Sequence, residues 1–340
     1  MPVPMADGRT VVVVAPNWLG DAVMALPAIA DVRLHFDSAR LVVAARRSVA
    51  DLFAMVPGID ATLVDPTPRT LRDAQADVAI LLPNSFASAW LVKRADVRER
   101  WGYAADVRRW LLTRAIGKPQ RLVHQGEYYQ YLIRELGIPT GPLEPVIAVP
   151  PDAAREARSL LVQNGCTDVS RLIVLAPGAA YGKAKQWIPS HASALVTLLA
   201  HERLATCALV GSSGDAATTR AIRDAVPSDC RPRVIDLAGR TSLAVLAGVV
   251  SLARACVSND SGAMHLAAAA GVPVAAIFGS TNERATAPLT RAGVPADVLT
   301  NSVWCRPCML RECPIDHRCM TGIEPRTVLA AVDRLAEESA

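Results

Sequence analysis

Ser258-Asn259-Asp260-Ser261-Gly262-Ala263-Met264-His265-Leu266-Ala267-Ala268-Ala269-Ala270-Gly271 lies between two short apolar runs, Arg254-Ala255-Cys256-Val257 before it and Val274 to Phe278 after it. Apolar run, small polar turn, alanine-rich helical stretch and second apolar run make one βαβ unit. The polar turn then stands at the carboxyl edge of a parallel sheet, where ligands of open α/β sheets settle. A helix N-terminus there offers unpaired N–H groups and about half a positive charge, which favours phosphate. Gly262 and Ala263 leave those groups uncovered by bulky side chains. Asp260 and Ser261 also fit an ordinary N-cap, and His265, one turn in, fits a packed helical histidine. The turn by itself admits both readings.

The same alternation extends in both directions. Val11 to Ala15 reads as a buried strand, followed by Asn17, Gly20 and Asp21 and a helical pattern with Val23, Leu26, Ile29 and Val32 on one side. Strands are expected at Leu41–Ala45, Ala61–Val64 and Val78–Leu82, with helices at Arg47–Val56, Leu71–Ala76 and from Ser85 to Lys93. Five prolines (Pro139, Pro142, Pro145, Pro150, Pro151) then fall within fourteen residues, the expected boundary between a domain 1–150 and a domain 151–340. Alternation restarts with helix Asp152–Asn164, strand Leu172–Ala176, helix Ser190–His201, strand Thr206–Gly211, helix Asp215–Ala225, strand Val234–Leu237 and a helix from Ser242. A last helix is expected over Pro325–Glu338, on either domain. The fold class is α/β: two Rossmann-like, doubly wound domains facing across a cleft.

Length and composition agree with two cores. The chain has 340 residues, 51% apolar and 20% charged, and no apolar run near the roughly 20 residues that cross a bilayer. The opening MPVPMADGR lacks a basic lead and a long apolar core, so it reads as a tail, not a signal peptide, and the expected location is cytoplasmic. Net charge is +4, but Lys93 to Arg121 holds nine basic and three acidic residues, leaving 27 and 29 for the rest. In that segment Arg98, Arg100, Arg108, Arg109 and Arg114 lie among Trp90, Trp101, Tyr103 and Trp110. Arginine forks suit carboxylate and phosphate, and the aromatics suit sugar faces or a lipid headgroup layer. Nucleic acid is not expected, for want of a larger charge or a known module.

Four further motifs carry chemistry. Asp21, where the first strand meets its helix, fits a dipole complement or a general base that takes a proton from an attacking hydroxyl. Pro177 to Trp187 is a loop of small residues, Gly178 and Ala179 among them, that lets backbone approach a phosphate while Lys183 or Lys185 supplies charge. It lacks the Walker spacing. Gly211 and Asp215 end another strand of the same sheet, where Asp215 fits a ribose contact or a helix cap. Cys166, Cys207, Cys230 and Cys256 are scattered and read as packed thiols. Cys305, Cys308, Cys313 and Cys319 form C-x2-C-x4-C-x5-C, with His317 inside it. Zinc, an iron–sulfur site, a redox pair and a reduced structural loop all fit that cluster.

Taken together, NWLGDAVMALPA (Asn17–Ala28), RWGY (Arg100–Tyr103), RRWLLT (Arg108–Thr113), HQGEYY (His124–Tyr129), PGAAYGKAKQW (Pro177–Trp187), SNDSGAMHLAAAAGVP (Ser258–Pro273), FGST (Phe278–Thr281) and CRPCMLRECPIDHRCM (Cys305–Met320) resemble the ADP-heptose:lipopolysaccharide heptosyltransferases, their heptosyltransferase II branch most closely. The resemblance implies a B-type glycosyltransferase fold, with acceptor on the first domain and sugar nucleotide on the second. It implies inverting transfer of L-glycero-D-manno-heptose from ADP-heptose to a heptose of the lipopolysaccharide inner core, with no cofactor and no catalytic metal. Asp21 matches the general base and Lys185 the lysine that faces the diphosphate. Asp260, Ser261, Gly262 and His265 match the donor motif. Like charge makes Asp260 a poor diphosphate partner, so its expected role is to hold heptose hydroxyls or the turn, with the Gly262 and Ala263 N–H groups on phosphate. Asn17, Gly20 and the basic segment are expected at the anionic, lipid-anchored acceptor, with peripheral contact at the cytoplasmic face of the inner membrane. Ala180 and Ala263 depart from the acidic residue and leucine common in the family. A related glycosyltransferase or epimerase of this build, or a non-catalytic nucleotide-sugar-binding protein, are the alternatives.

Overall fold

The computed structural model describes residues 8–338, so the opening Met1–Asp7, read above as a tail, lies outside the described residues. The chain divides into two compact units, one ending at Ala148 and the other beginning at Val149. The first holds β1 (Thr10–Val14), β2 (Arg40–Ala45), β3 (Ala61–Val64), β4 (Val78–Leu81), β5 (Glu99–Tyr103) and β6 (Arg114–Ile116). They pair in the order β3-β2-β1-β4-β5-β6. The second holds β7 (Leu172–Ala176), β8 (Thr206–Leu209), β9 (Val234–Asp236), β10 (Ala255–Asn259), β11 (Val274–Phe278) and β12 (Ala296–Thr300). Their order is β12-β11-β10-β7-β8-β9. Numbered from its own first strand, each sheet runs 3-2-1-4-5-6, the order of doubly wound dinucleotide-binding sheets. All ten strand pairings are parallel.

Strand order reverses beside β1 in the first unit and beside β7 in the second. There the helices leave toward opposite faces and open a crevice at the carboxyl ends. Register fixes which loops meet in it. Val14 pairs with Leu81, so the residues leading to Asp21 leave the sheet beside Leu82–Ser85. Ala176 pairs with Ser258, so Pro177–Trp187 leaves beside Asn259–Ala263. Each unit therefore presents two of the motifs singled out above at its own switch point.

Strands of the second sheet alternate between two cores, as the two-residue period requires. Ile173, Leu175, Val257 and Ile277 face Leu195, Leu199 and Val332 on one side. Val174, Ala176, Cys256 and Val274 face Val245, Val249 and Met264 on the other. Helix Pro325–Glu338 joins the first of these cores through Val328, Leu329, Val332 and Leu335. At roughly 1.5–3 kcal/mol per fully buried aliphatic side chain, that stripe fixes the helix to the second unit, which sequence alone left open.

Two local expectations change. The helical pattern after Asp21 is two helices, Leu19–Met24 and Leu26–His35, because Pro27 in the first turn of the second has no N–H to continue the ladder of the first. The basic segment, read above for its ligand chemistry, also builds sheet: it contributes β5 and β6. Among the described residues no helix is long and apolar enough to cross a membrane.

Candidate active site

In the second unit, β10 ends on Asn259, two residues further than the apolar pattern indicates. The Asn259 side chain sews the neighbouring loop to this strand. Its Nδ2 donates to the carbonyls of Pro177 (2.7 Å) and Gly178 (3.2 Å), and its Oδ1 accepts the Trp187 backbone N–H at 3.1 Å. The Trp187 indole donates to the Ile323 carbonyl at 3.0 Å. With both ends anchored, the loop holds Lys185 over Asp260: Nζ to Oδ2 is 2.7 Å, with side chains only 15% and 5% exposed. Thr281, just past β11, donates its hydroxyl to the same Oδ2 at 2.7 Å. Lys185 also lies 4.8 Å from the centre of the Tyr181 ring. One buried carboxylate oxygen thus orients a lysine that keeps further N–H donors for a ligand.

This pairing removes Asp260 from the capping role that the turn also admitted. Asp260 is occupied by Lys185 and Thr281, and the Ser261 hydroxyl lies 3.1 Å from the Ser258 hydroxyl. Helix Gly262–Ala269 starts from Ser261 with no side-chain cap. Its first N–H groups, on half-buried Gly262 and Ala263, keep the partial positive charge of an uncapped N-terminus beside the Lys185 ammonium. Two independent positive features converge on the β7/β10 switch point. His265 is buried within this helix.

Asp215 and Gly178 also serve the structure of their own loops. Asp215 Oδ2 accepts the Ser212 backbone N–H (2.8 Å) and hydroxyl (2.7 Å), closing a capping box. A Cβ on Gly178 would run into the Asp215 carboxylate, and one on Gly211 would sit 2.8 Å from the Asp215 Cβ. These two glycines make room for a cap; their smallness serves packing between loops.

In the first unit, Asp21 lies in the opening turn of Leu19–Met24, half-buried, with Asn17 exposed and Gly20 half-buried before it. Tyr129 is held well above the usual phenol range, first by burial and then by the charge of Asp21, which places that carboxylate close to the phenol. Asn84, leaving β4, exchanges hydrogen bonds with the Tyr128 hydroxyl at 2.9 and 3.2 Å. Tyr103 stacks on Tyr128 at 4.4 Å and donates to its carbonyl at 2.6 Å. Asn84, Tyr128 and Tyr129 therefore furnish the β1/β4 switch point beside Asp21. Only the paired tyrosines of HQGEYY hinted at them beforehand.

The arginines separate. Arg108, expected at the acceptor, is 0% exposed. Its Nε donates to the Tyr103 carbonyl at 3.0 Å, and its Nη1 to Pro83 and Ser85 carbonyls and the Ser88 hydroxyl at 2.5–3.0 Å. It is a core strut, and burial pushes its pKa down to about 10. Arg100 is tied by Nε to the Leu111 carbonyl (2.7 Å) and by Nη1 to that of Val97 (2.6 Å). Both brace the sheet through backbone carbonyls, while Arg108 Nη2 is buried without a hydrogen-bond partner. Arg98 and Arg109 stay exposed. Trp101 and Tyr103 are buried, but Trp90 (43% exposed) and Trp110 (65%) join Phe86 (37%) in a surface cluster, with ring centres 6.1–6.5 Å apart.

Comparison with known proteins adds the chemistry. Residues 67–318 match the profile of glycosyltransferase family 9 (heptosyltransferase). The lipooligosaccharide heptosyltransferase 2 of Haemophilus influenzae is 29% identical over 300 residues, covering 82% of this chain and 86% of that one. The lipopolysaccharide heptosyltransferase 2 of Salmonella typhimurium is 27% identical, covering 82% and 85%. The solved structure of Escherichia coli ADP-heptose lipopolysaccharide heptosyltransferase II superposes with a TM-score of 0.84 at 25% identity, covering 97% of this chain and all of that one.

Proposed function

The chain belongs to glycosyltransferase family 9, the heptosyltransferases, and on that footing we propose that it moves a heptose from ADP-heptose to a heptose of the lipopolysaccharide inner core. The observation that carries this reading is the uncapped N-terminus of helix Gly262–Ala269 beside the oriented Lys185. N–H groups and an ammonium that converge at a switch point suit a diphosphate. Asp260, which shares its charge sign with that ligand, serves as the holder of Lys185.

Transfer is a single displacement. The Asp21 carboxylate takes the proton of an acceptor hydroxyl as its oxygen attacks the anomeric carbon of the donor heptose. The bond from that carbon to the β-phosphate oxygen breaks, and the electron pair leaves with ADP. Lys185 and the Gly262 and Ala263 N–H groups stabilise the charge that develops on the departing diphosphate, so no metal is required for this step. Inversion at the anomeric carbon follows from one displacement.

The acceptor belongs to the first unit in this reading. Asn17, Gly20 and Asp21 line the β1/β4 switch point with Asn84 and Tyr128, and exposed Arg98 and Arg109 supply positive charge for an anionic glycolipid. Phe86, Trp90 and Trp110 with those arginines suit peripheral contact with an anionic membrane at the cytoplasmic face, where such an acceptor is anchored.

The test follows ADP release from ADP-heptose with and without a mono-heptosylated inner-core acceptor. Acceptor-dependent release is expected, and Asp21→Ala should lower kcat by at least about 10²-fold while ADP still binds. Release without acceptor, or full activity in Asp21→Ala, would refute the assignment.

A further inference from the structure

β12 ends at Thr300 and the next helix begins at Arg318, leaving 301–317 without helix or strand. Long loops without regular structure inside compact domains need a reason to hold one shape. An apolar core does not supply it here, because Trp304, Met309, Leu310 and Ile315 are all exposed. Four cysteines lie together there instead, their sulfurs spaced wider than a bound ion would hold them. Cys305, Cys308, Cys313 and Cys319 line one cavity of about 20 Å³, room for one water-sized particle. All four are free thiols, with Cys319 buried, Cys305 and Cys313 half-buried and Cys308 exposed. The nearby imidazole is committed elsewhere: His317 Nε2 lies 2.9 Å from the Ala184 carbonyl.

We propose that Cys305, Cys308, Cys313 and Cys319 bind one thiophilic divalent ion, zinc or iron, and that this ion holds the loop as a strap across the donor-site turns. Four thiols suit a tetrahedral S₄ shell, whose preferred ions are these two. Each thiol releases a proton to solvent as its thiolate binds. Four sulfurs fill the shell and leave no open position, so the ion is structural and takes no part in glycosyl transfer. Two short disulfides are the competing use of the same sulfurs.

The strap follows from where the loop is fastened. The Arg311 carbonyl accepts the Ala184 N–H at 2.9 Å, and the Met309 carbonyl accepts the Tyr181 hydroxyl at 2.9 Å. A Cβ on Gly182 would strike the Arg311 carbonyl. On the other side, Met309 N–H donates to the Ser280 carbonyl and Arg306 Nε to that of Gly279, both at 2.8 Å. Arg306 also pairs with Glu283 at 2.8 Å. The loop therefore grips the turn that carries Lys185 and the turn that carries Thr281, the two partners of Asp260. This second part rests on the donor-site reading given above, and the metal site itself does not.

Elemental analysis of the full-length chain, purified without chelator, tests the first part. About one zinc or iron per chain is expected, iron also giving visible thiolate absorption. Native thiol titration should find almost none of the eight cysteines, and all eight after unfolding with chelator. Cys308→Ser, at the exposed position, and Cys305→Ser should each lose the ion while the chain stays folded by circular dichroism. No bound ion after anaerobic reconstitution with Zn²⁺ or Fe²⁺, or two disulfides by mass spectrometry, would overturn the site. ADP titration tests the strap: Kd should rise about tenfold in Cys308→Ser. An unchanged Kd with the ion gone would overturn the strap alone, and failure of the metal-loaded chain to bind ADP would instead fault the donor-site reading.

Discussion

Arg108 holds two chain segments with one side chain. Its guanidinium reaches carbonyls of Tyr103, Pro83 and Ser85, so it fastens the ends of β4 and β5 at the first unit's switch point. Truncation leaves several buried acceptors unpaired, each worth about 1–3 kcal/mol. Arg108→Ala should therefore cost about 3 kcal/mol, a fall of roughly 6–12 °C in Tm, with ADP affinity retained. A loss of acceptor binding at unchanged Tm would restore its expected place at the surface. Lys185→Ala should weaken ADP binding at least tenfold by isothermal titration, because a charge-assisted partner is removed. Unchanged affinity would exclude the lysine from the diphosphate. Lys185 and Asp260 were readable as donor-site candidates from motif and placement. Their mutual pairing was not, since 75 residues separate them. Arg108 was misplaced because an arginine in a basic segment carries no sign of burial.

Elements were legible where their residues obey a simple period. β7, β11 and helix Pro325–Glu338 fall where the apolar pattern puts them. β5 and β6 read as charge, since Glu-Arg-Trp-Gly-Tyr and Arg-Ala-Ile are short and polar and take their place from β4. β12, Ala-Asp-Val-Leu-Thr, is hidden for the same reason and depends on β11. The terminal helix adds an electrostatic anchor to its apolar one: Arg203 grips Asp333 through both carboxylate oxygens at 2.8 and 2.7 Å. Those hydrogen bonds hold the Asp333 carboxyl below its ordinary value. The folded pKa lies under the unfolded one, so the stabilisation is present above about pH 4 and is lost as pH falls through the folded value. Solvent screens this half-exposed pair, limiting it to about 1 kcal/mol or less. Asp333→Asn should lower Tm by roughly 1–3 °C at pH 7, and the difference should shrink as the pH is taken below 4. A constant difference across that range would assign it to packing.

At the scale of the whole molecule, the repeated 3-2-1-4-5-6 order gives each unit its own switch point, and the two sets of motifs divide between them. Their assignment to separate units was legible because strand–helix alternation restarts after the proline run. The first unit's exposed aromatic cluster was only partly so, because Phe86 and Trp90 are neighbours on one helix but Trp110 joins them only through the fold of the chain. Replacing Trp90 and Trp110 by serine should cut partition onto anionic phospholipid vesicles about tenfold, leaving turnover of a soluble acceptor intact. Unaltered vesicle binding would remove the membrane role from this surface. The two sheets also bear on how the protein is made. The last strand of the first sheet is complete at Ile116, and its unit closes by Ala148. The second sheet keeps the β10–β12 part of one face open until Val328–Leu335 has been translated. At about 5–20 residues per second, a nascent chain spends roughly 10–40 seconds with a finished first half and an uncovered second one. That interval is when a chaperone would matter most, and it belongs to the second unit.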